Sequence, residues 1–260
     1  MSDSALDLEP VEAEAVLYSL DDSGVAWVSL NRPHRLNAIN SSLIAGLVSS
    51  LARAGSEGAG VVVLQGNGRA FCSGHDLQED ELSGVRAEQI AQGLQEVTRR
   101  MRAFPGPVVS AVHGYALGGG FEFALASDLV VAARSARFGF PEVAVGLTVT
   151  GGVTKLLPQL VGPMRAKRLL LLGEMINAEE AYSLGLLTSV CESEELEERC
   201  ELLAKELAAK PRSSMALTKQ ALDAGPDNFL EDQLELEVEH LLRAAKSSDA
   251  SMARDKFRGR

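Results

Sequence analysis

The chain has 260 residues, 46% of them hydrophobic, which supports one substantial core in a single large domain or a domain with an appendage. Its formal charge of −11 argues against a general affinity for nucleic acid or anionic membrane, since both need clustered Lys and Arg and only Arg254 to Arg260 is locally basic. Three cysteines (Cys72, Cys191, Cys200) are too few for a disulfide framework, Met1 to Glu14 resembles neither a secretory signal nor a transit peptide, and no apolar run approaches the roughly 18 residues of a membrane span, so the expected setting is cytoplasmic.

Val25 to Leu30 reads as a strand, ended by the turn chemistry of Asn31-Arg32-Pro33 before an apolar-periodic helix from about Asn40 to Ala54. Val61 to Leu64 is a buried strand closed by Gly66-Asn67-Gly68, a helix covers Ala87 to Ala103, and Val108 to Val112 is the next strand. Three glycines, Gly118 to Gly120, then lead into an apolar helical stretch from Phe121 to Ala126, and Leu129 to Ala132 gives another strand. Strands alternating with helices predict an α/β fold with a covered parallel sheet, whose ligands sit beyond the carboxyl ends of the strands. After Leu187 the pattern turns helical, with Glu194 to Ala209, Pro211 to Ala224 and Asn228 to Ala245, and no further strand is evident. Leu230, Leu234, Val238, Leu241 and Leu242 make an apolar stripe that must pack on this chain or on another subunit.

The chemistry concentrates where the strand breaks into Gly118-Gly119-Gly120. Bare amides at a helix start gather partial positive charge and suit developing negative charge. Glu122 lies just inside that helix and Glu142 follows Pro141; together they can supply the acid and base of a proton transfer, while each alone also reads as a surface carboxylate. A phosphate loop is ruled out because Phe121 stands where Lys belongs, and Gly66-Asn67-Gly68 lacks the third glycine of a dinucleotide fingerprint. Ser73, His75 and Asp76 are too close in sequence to converge as a nucleophilic triad. The four histidines show no metal spacing, and no metal is expected.

Asn31 to Ala38, Arg69 to Leu77, Ala111 to Gly120 and Pro141-Glu142 occur in that order, and together they resemble the enoyl-CoA hydratase/isomerase (crotonase) superfamily over roughly Gly24 to Leu222. The resemblance implies a spiral of ββα units with a CoA-ester site over residues 1–195, then a C-terminal helical trimerisation region over 196–260, assembled as a homotrimer or homohexamer. It implies an oxyanion hole from the backbone amides of His75 and Gly119, and catalytic roles for Glu122 and Glu142. It further places Arg35 and Leu36, then Gly74, Asp76, Leu77 and Gln78, and finally Gly118 in the substrate-binding set.

The implied substrate is an acyl-CoA thioester. Coenzyme A enters as part of that substrate, so no separate cofactor is implied. Keeping both glutamates favours hydration of a 2-enoyl-CoA; the alternatives are Δ3,Δ2-enoyl-CoA isomerisation and an idle acyl-CoA-binding assembly protein. The sequence departs from the family where His75 replaces a common Ala, Gln78 replaces a Lys or Arg, and Thr150 and Val153 stand at frequent glycine positions. His75, Thr150 and Val153 are therefore the places where acyl preference is expected to be set.

Overall fold

The structure, a computed structural model, describes residues 14–77 and 84–258. Gln78 and the acidic stretch up to residue 13 lie outside the described residues. The first part of the chain runs β1 (Val16–Leu20), β2 (Val25–Leu30), α1 (Ser41–Ser56), β3 (Val61–Gly66), α2 (Gly84–Ala103) and β4 (Val108–Val112). It continues through β5 (Tyr115–Leu117), α3 (Gly119–Ala126), β6 (Leu129–Ala133), β7 (Arg137–Gly139), α4 (Val153–Val161) and α5 (Pro163–Leu172). The last part holds β8 (Met175–Asn177), α6 (Ala178–Ser183), β9 (Ser189–Cys191), α7 (Leu196–Ala208), α8 (Arg212–Ala224), α9 (Leu230–Ala245) and α10 (Ser248–Arg258).

The strands form two sheets. The larger has the order β1-β2-β3-β4-β6-β9 and is parallel except for the edge pair β1/β2, while the smaller, β5-β7-β8, has one parallel and one antiparallel pair. Two consecutive strand pairs, β4 then β5 and β6 then β7, each give one strand to either sheet. An isolated bridge from Cys72 to Ala116 extends the same second layer to the segment after β3. This repeated partition is the spiral of strand pairs and helices.

Period-2 burial explains why the larger sheet needs cover on both faces. Val62 and Leu64 of β3 face a core shared with Leu43, Leu47, Ile90, Val97 and Phe121. Val61 and Val63 face the other way, where α7 lays down Leu196, Cys200 and Ala204. The helical series expected over 196–260 thus opens with a helix packed on the sheet; α8, α9 and α10 follow and pack on one another.

The expectation that no strand follows Leu187 is corrected by β9, which pairs its three residues with β6. β5, β7 and β8 are equally short, and β1 alternates only weakly between buried and exposed positions. Three residues hold too little periodicity to declare a strand; their pairing is dictated by neighbours distant in sequence.

Candidate active site

The site rests on a buried knot near the start of the chain. Leu36 and Asn37 both take left-handed backbone angles, φ 51° and 56°; at Asn37 a short polar side chain bonded to nearby backbone offsets the strain. Asn37 is fully buried; its Oδ1 accepts the Arg32 amide at 2.8 Å, and its Nδ2 donates to the carbonyls of Asn67 at 2.9 Å and Ala70 at 2.8 Å. Arg32, turned inward by this loop, pairs with Asp76 at 3.0 Å, both side chains being almost wholly buried. The knot therefore fixes the segment that carries His75. Ile39 donates to the Gly74 carbonyl and accepts the Asp76 amide. With both flanking groups directed at Ile39, strand alternation turns the His75 N–H to the opposite side.

On that side lies the glycine turn. Gly118 adopts φ 50°, ψ −124°, which only glycine takes readily, and a Cβ there would sit 2.5 Å from Glu142 Oε1. A Cβ on Gly120 would drive into the Cys72 carbonyl. The triplet is thus the cost of bringing the start of α3 against both the Cys72 segment and Glu142. Gly119 is the first residue of α3, so its amide is among those that have no acceptor within the helix. All eight residues of α3 are buried, and Glu122, in its first turn, is only 2% exposed.

Glu122 is held by one residue through both oxygens: the Thr150 amide donates to Oε1 at 2.6 Å and the Thr150 hydroxyl to Oε2 at 2.7 Å. Burial raises its carboxyl above the ordinary glutamate range, and the two Thr150 bonds pull it back. Glu142 begins a 3-10 turn, Glu142–Val145, that leads into the loop carrying Thr150. Burial, reinforced by the charge of Glu122, lifts the Glu142 carboxyl to about 7. Its Oε2 is buried without a hydrogen-bond partner among the described residues. The two carboxylates consequently differ in kind, one clamped by donors and one poised to keep a proton near neutral pH.

Both face a cavity of about 310 Å³ whose wall also includes His75, Gly118, Gly119 and Thr150. Ile90, Leu94, Val145 and Leu147 supply an apolar lining, and Leu77 stands half-exposed beside it. All four residues expected to do chemistry, Glu122, Glu142, His75 and Gly119, are therefore brought to one space, together with Gly74, Leu77 and Gly118. Asp76 lies behind the wall, spent on Arg32. Leu36 and Arg35 lie outside the lining, and the Leu36 carbonyl accepts the amide of Ser73 in the wall. Val153, expected to help set acyl preference, is fully buried at the start of α4 and does not reach the cavity. The bond from Thr150 to Glu122 is the feature that sequence reasoning missed, because the residues are 28 apart and only the fold of the loop joins them. Among the described residues no group of three or more His, Cys, Asp or Glu comes together as a metal site.

Residues 21–260 match the family model described as enoyl-CoA hydratase/isomerase. The chain is 36% identical over 237 residues to 1,2-epoxyphenylacetyl-CoA isomerase of Escherichia coli K12, covering 88% of this chain and 89% of that protein. It is 34% identical over 235 residues to crotonyl-CoA hydratase of Syntrophomonas wolfei, covering 89% and 86%. The crystal structure of an enoyl-CoA hydratase from Bacillus anthracis superimposes with a TM-score of 0.90 at 29% identity, over 94% of this chain and 96% of that one.

Proposed function

The chain belongs to the enoyl-CoA hydratase/isomerase family, and from that premise we propose that it adds water across the double bond of a 2-enoyl-CoA thioester, giving a 3-hydroxyacyl-CoA. One observation carries the reading: two glutamates of unlike surroundings, Glu122 bound by two Thr150 donors and Glu142 with a partnerless Oε2 and a carboxyl raised to about 7, face one apolar cavity at a helix start. Glu122, as carboxylate, takes a proton from water while the water oxygen bonds to C3. The π electrons move through C2 toward the thioester carbonyl, and the enolate oxygen is held by the amides of His75 and Gly119. In comparable sites such a donor contributes about 3–4 kcal/mol. Glu142, protonated near neutral pH, gives its proton to C2 and completes the addition.

The partnerless Oε2 and raised carboxyl of Glu142 favour a second reading, Δ3,Δ2-enoyl-CoA isomerisation, in which one carboxylate shuttles a single proton. A panel of 2-enoyl-CoA thioesters graded in length and branching, aromatic ones included, is followed by loss of enoyl absorbance. Turnover of at least one is expected; none on any member overturns the hydratase reading. Glu122→Ala separates the two: hydration lost with isomerisation retained marks the single-carboxylate enzyme.

A further inference from the structure

Two carboxylates that face the same apolar cavity could each hold the proton. The surroundings of Glu122 and Glu142 are unequal in one respect above others, the donors supplied by Thr150. Any residue at 150 except proline offers an amide to Oε1; the Thr150 β-hydroxyl reaches Oε2 as well. Two donors from one residue fix the plane of the carboxylate as well as its charge. The approach depends on Gly151, which takes φ +55° and whose Cβ would stand 2.8 Å from Glu122 Oε2. The Thr150-Gly151-Gly152 turn thus wraps the carboxylate closely, with the hydroxyl directed at Oε2.

Among the described residues no other side chain donates a hydrogen bond to either carboxylate. Of the elements packed against α3, β4 carries no titratable side chain, and β5 carries only Tyr115, on its exposed side. Among the described side chains, Arg100 of α2 pairs with Glu96 and Arg102 with Asp223, and Lys155 of α4 pairs with Asp227. Among the described residues the titratable groups near the pair are His75 across the cavity and the buried Cys72 thiol, which desolvation pushes up to about 12, leaving it neutral.

We propose that the Thr150 hydroxyl is a positioning residue that settles which glutamate carries the charge, holding Glu122 as the oriented carboxylate and leaving the proton to Glu142. This rests on the hydratase reading for its catalytic meaning, though not for its test. The probe is carboxyl ¹³C titration of glutamate-labelled protein, the two signals being assigned with Glu122→Gln and Glu142→Gln. Thr150→Val keeps the shape and the amide but deletes the hydroxyl. The Glu122 step is expected to move up by about one pH unit, and the gap between the two steps to narrow, as for loss of one hydrogen bond to a charged group. Thr150→Ser is expected to titrate as the parent protein does. Thr150→Ala replaces the valine variant should that one not fold. Titration of Thr150→Val identical to the parent, or a Thr150→Ser shift as large as that of Thr150→Val, overturns the proposal. In the kinetics the acid limb of kcat/KM moves with Glu122, and kcat falls roughly ten-fold with KM little changed. If the parent protein hydrates no 2-enoyl-CoA, the hydratase reading falls while the titration still decides the role of Thr150.

Discussion

Glu142 has a carboxyl lifted to about 7 by burial and by the charge of Glu122, which sets two opposite demands on one side chain. As the proton donor it must be protonated, so kcat/KM for hydration falls as pH rises through about 7. As the base Glu122 must be ionised, so the rate also falls as pH drops through its own raised value, giving a bell. Stability follows the same group with a fixed sign. Since the folded chain holds this proton more tightly than the unfolded chain, it binds more protons between about 4.5 and 7, and stability declines as pH rises through that window. Glu142→Gln removes the ionisation. It is expected to lower kcat by about 10²–10⁴-fold yet, after allowance for solvent screening, to raise stability at pH 8 by about 1–2 kcal/mol, with little gain near pH 4. Urea denaturation at the two pH values checks it, and an equal effect at both would show that the carboxyl is not strained by its charge.

At the scale of elements, the segment from Asn31 to Asn37 does its work by fixing backbone. Asn37→Ala would leave the Arg32 amide and the Asn67 and Ala70 carbonyls without their partner and would put alanine at φ 56°. Three such bonds at about 1 kcal/mol each, with about 1 kcal/mol of backbone strain, predict a loss of about 3–5 kcal/mol. Thermal unfolding measures it, and a loss under about 1 kcal/mol would show that the knot is not what holds Asp76 and His75. The motif was visible in the sequence, but its role was not, because Asn37 bonds to residues some thirty positions away. The same contrast runs through the fold. β2 and β4 were legible to the residue, since a run of four or five apolar side chains broken only by one serine announces a doubly covered strand. β5, β7, β8 and β9 were not, since three residues pair wherever the spiral places them. In the site, glycines and glutamates stood out because each is unusual in an apolar stretch; Thr150 stood out only as a departure at a glycine position, and its bond to the carboxylate became visible only in the fold.

Across the whole molecule the apolar stripe of α9 has no cover among the described residues of the single chain. Leu230 is 70% exposed and Leu241 69%, with Leu234, Val238 and Leu242 also exposed, and Phe229 just before the helix is 84% exposed. α5 adds Met164, Leu171 and Leu172 to the exposed apolar surface. Burying one such leucine contributes about 1.5–3 kcal/mol, so a face of this extent favours association over exposure to water. The proposed homotrimer or homohexamer predicts that light scattering finds an assembly of three or six chains. The double substitution Leu234→Glu, Leu241→Glu places charge in the stripe and is expected to reduce that assembly to single chains. A parent protein that is monomeric at the same concentration would overturn the expectation. The site gives this experiment a second arm. Every described residue lining the carboxylate cavity lies between Ser73 and Thr150, within the spiral and away from α8, α9 and α10. The dissociated variant is therefore expected to keep the Glu142 titration near 7; a shift toward the ordinary glutamate range would mean that assembly, and not the chain alone, closes the cavity around that carboxyl.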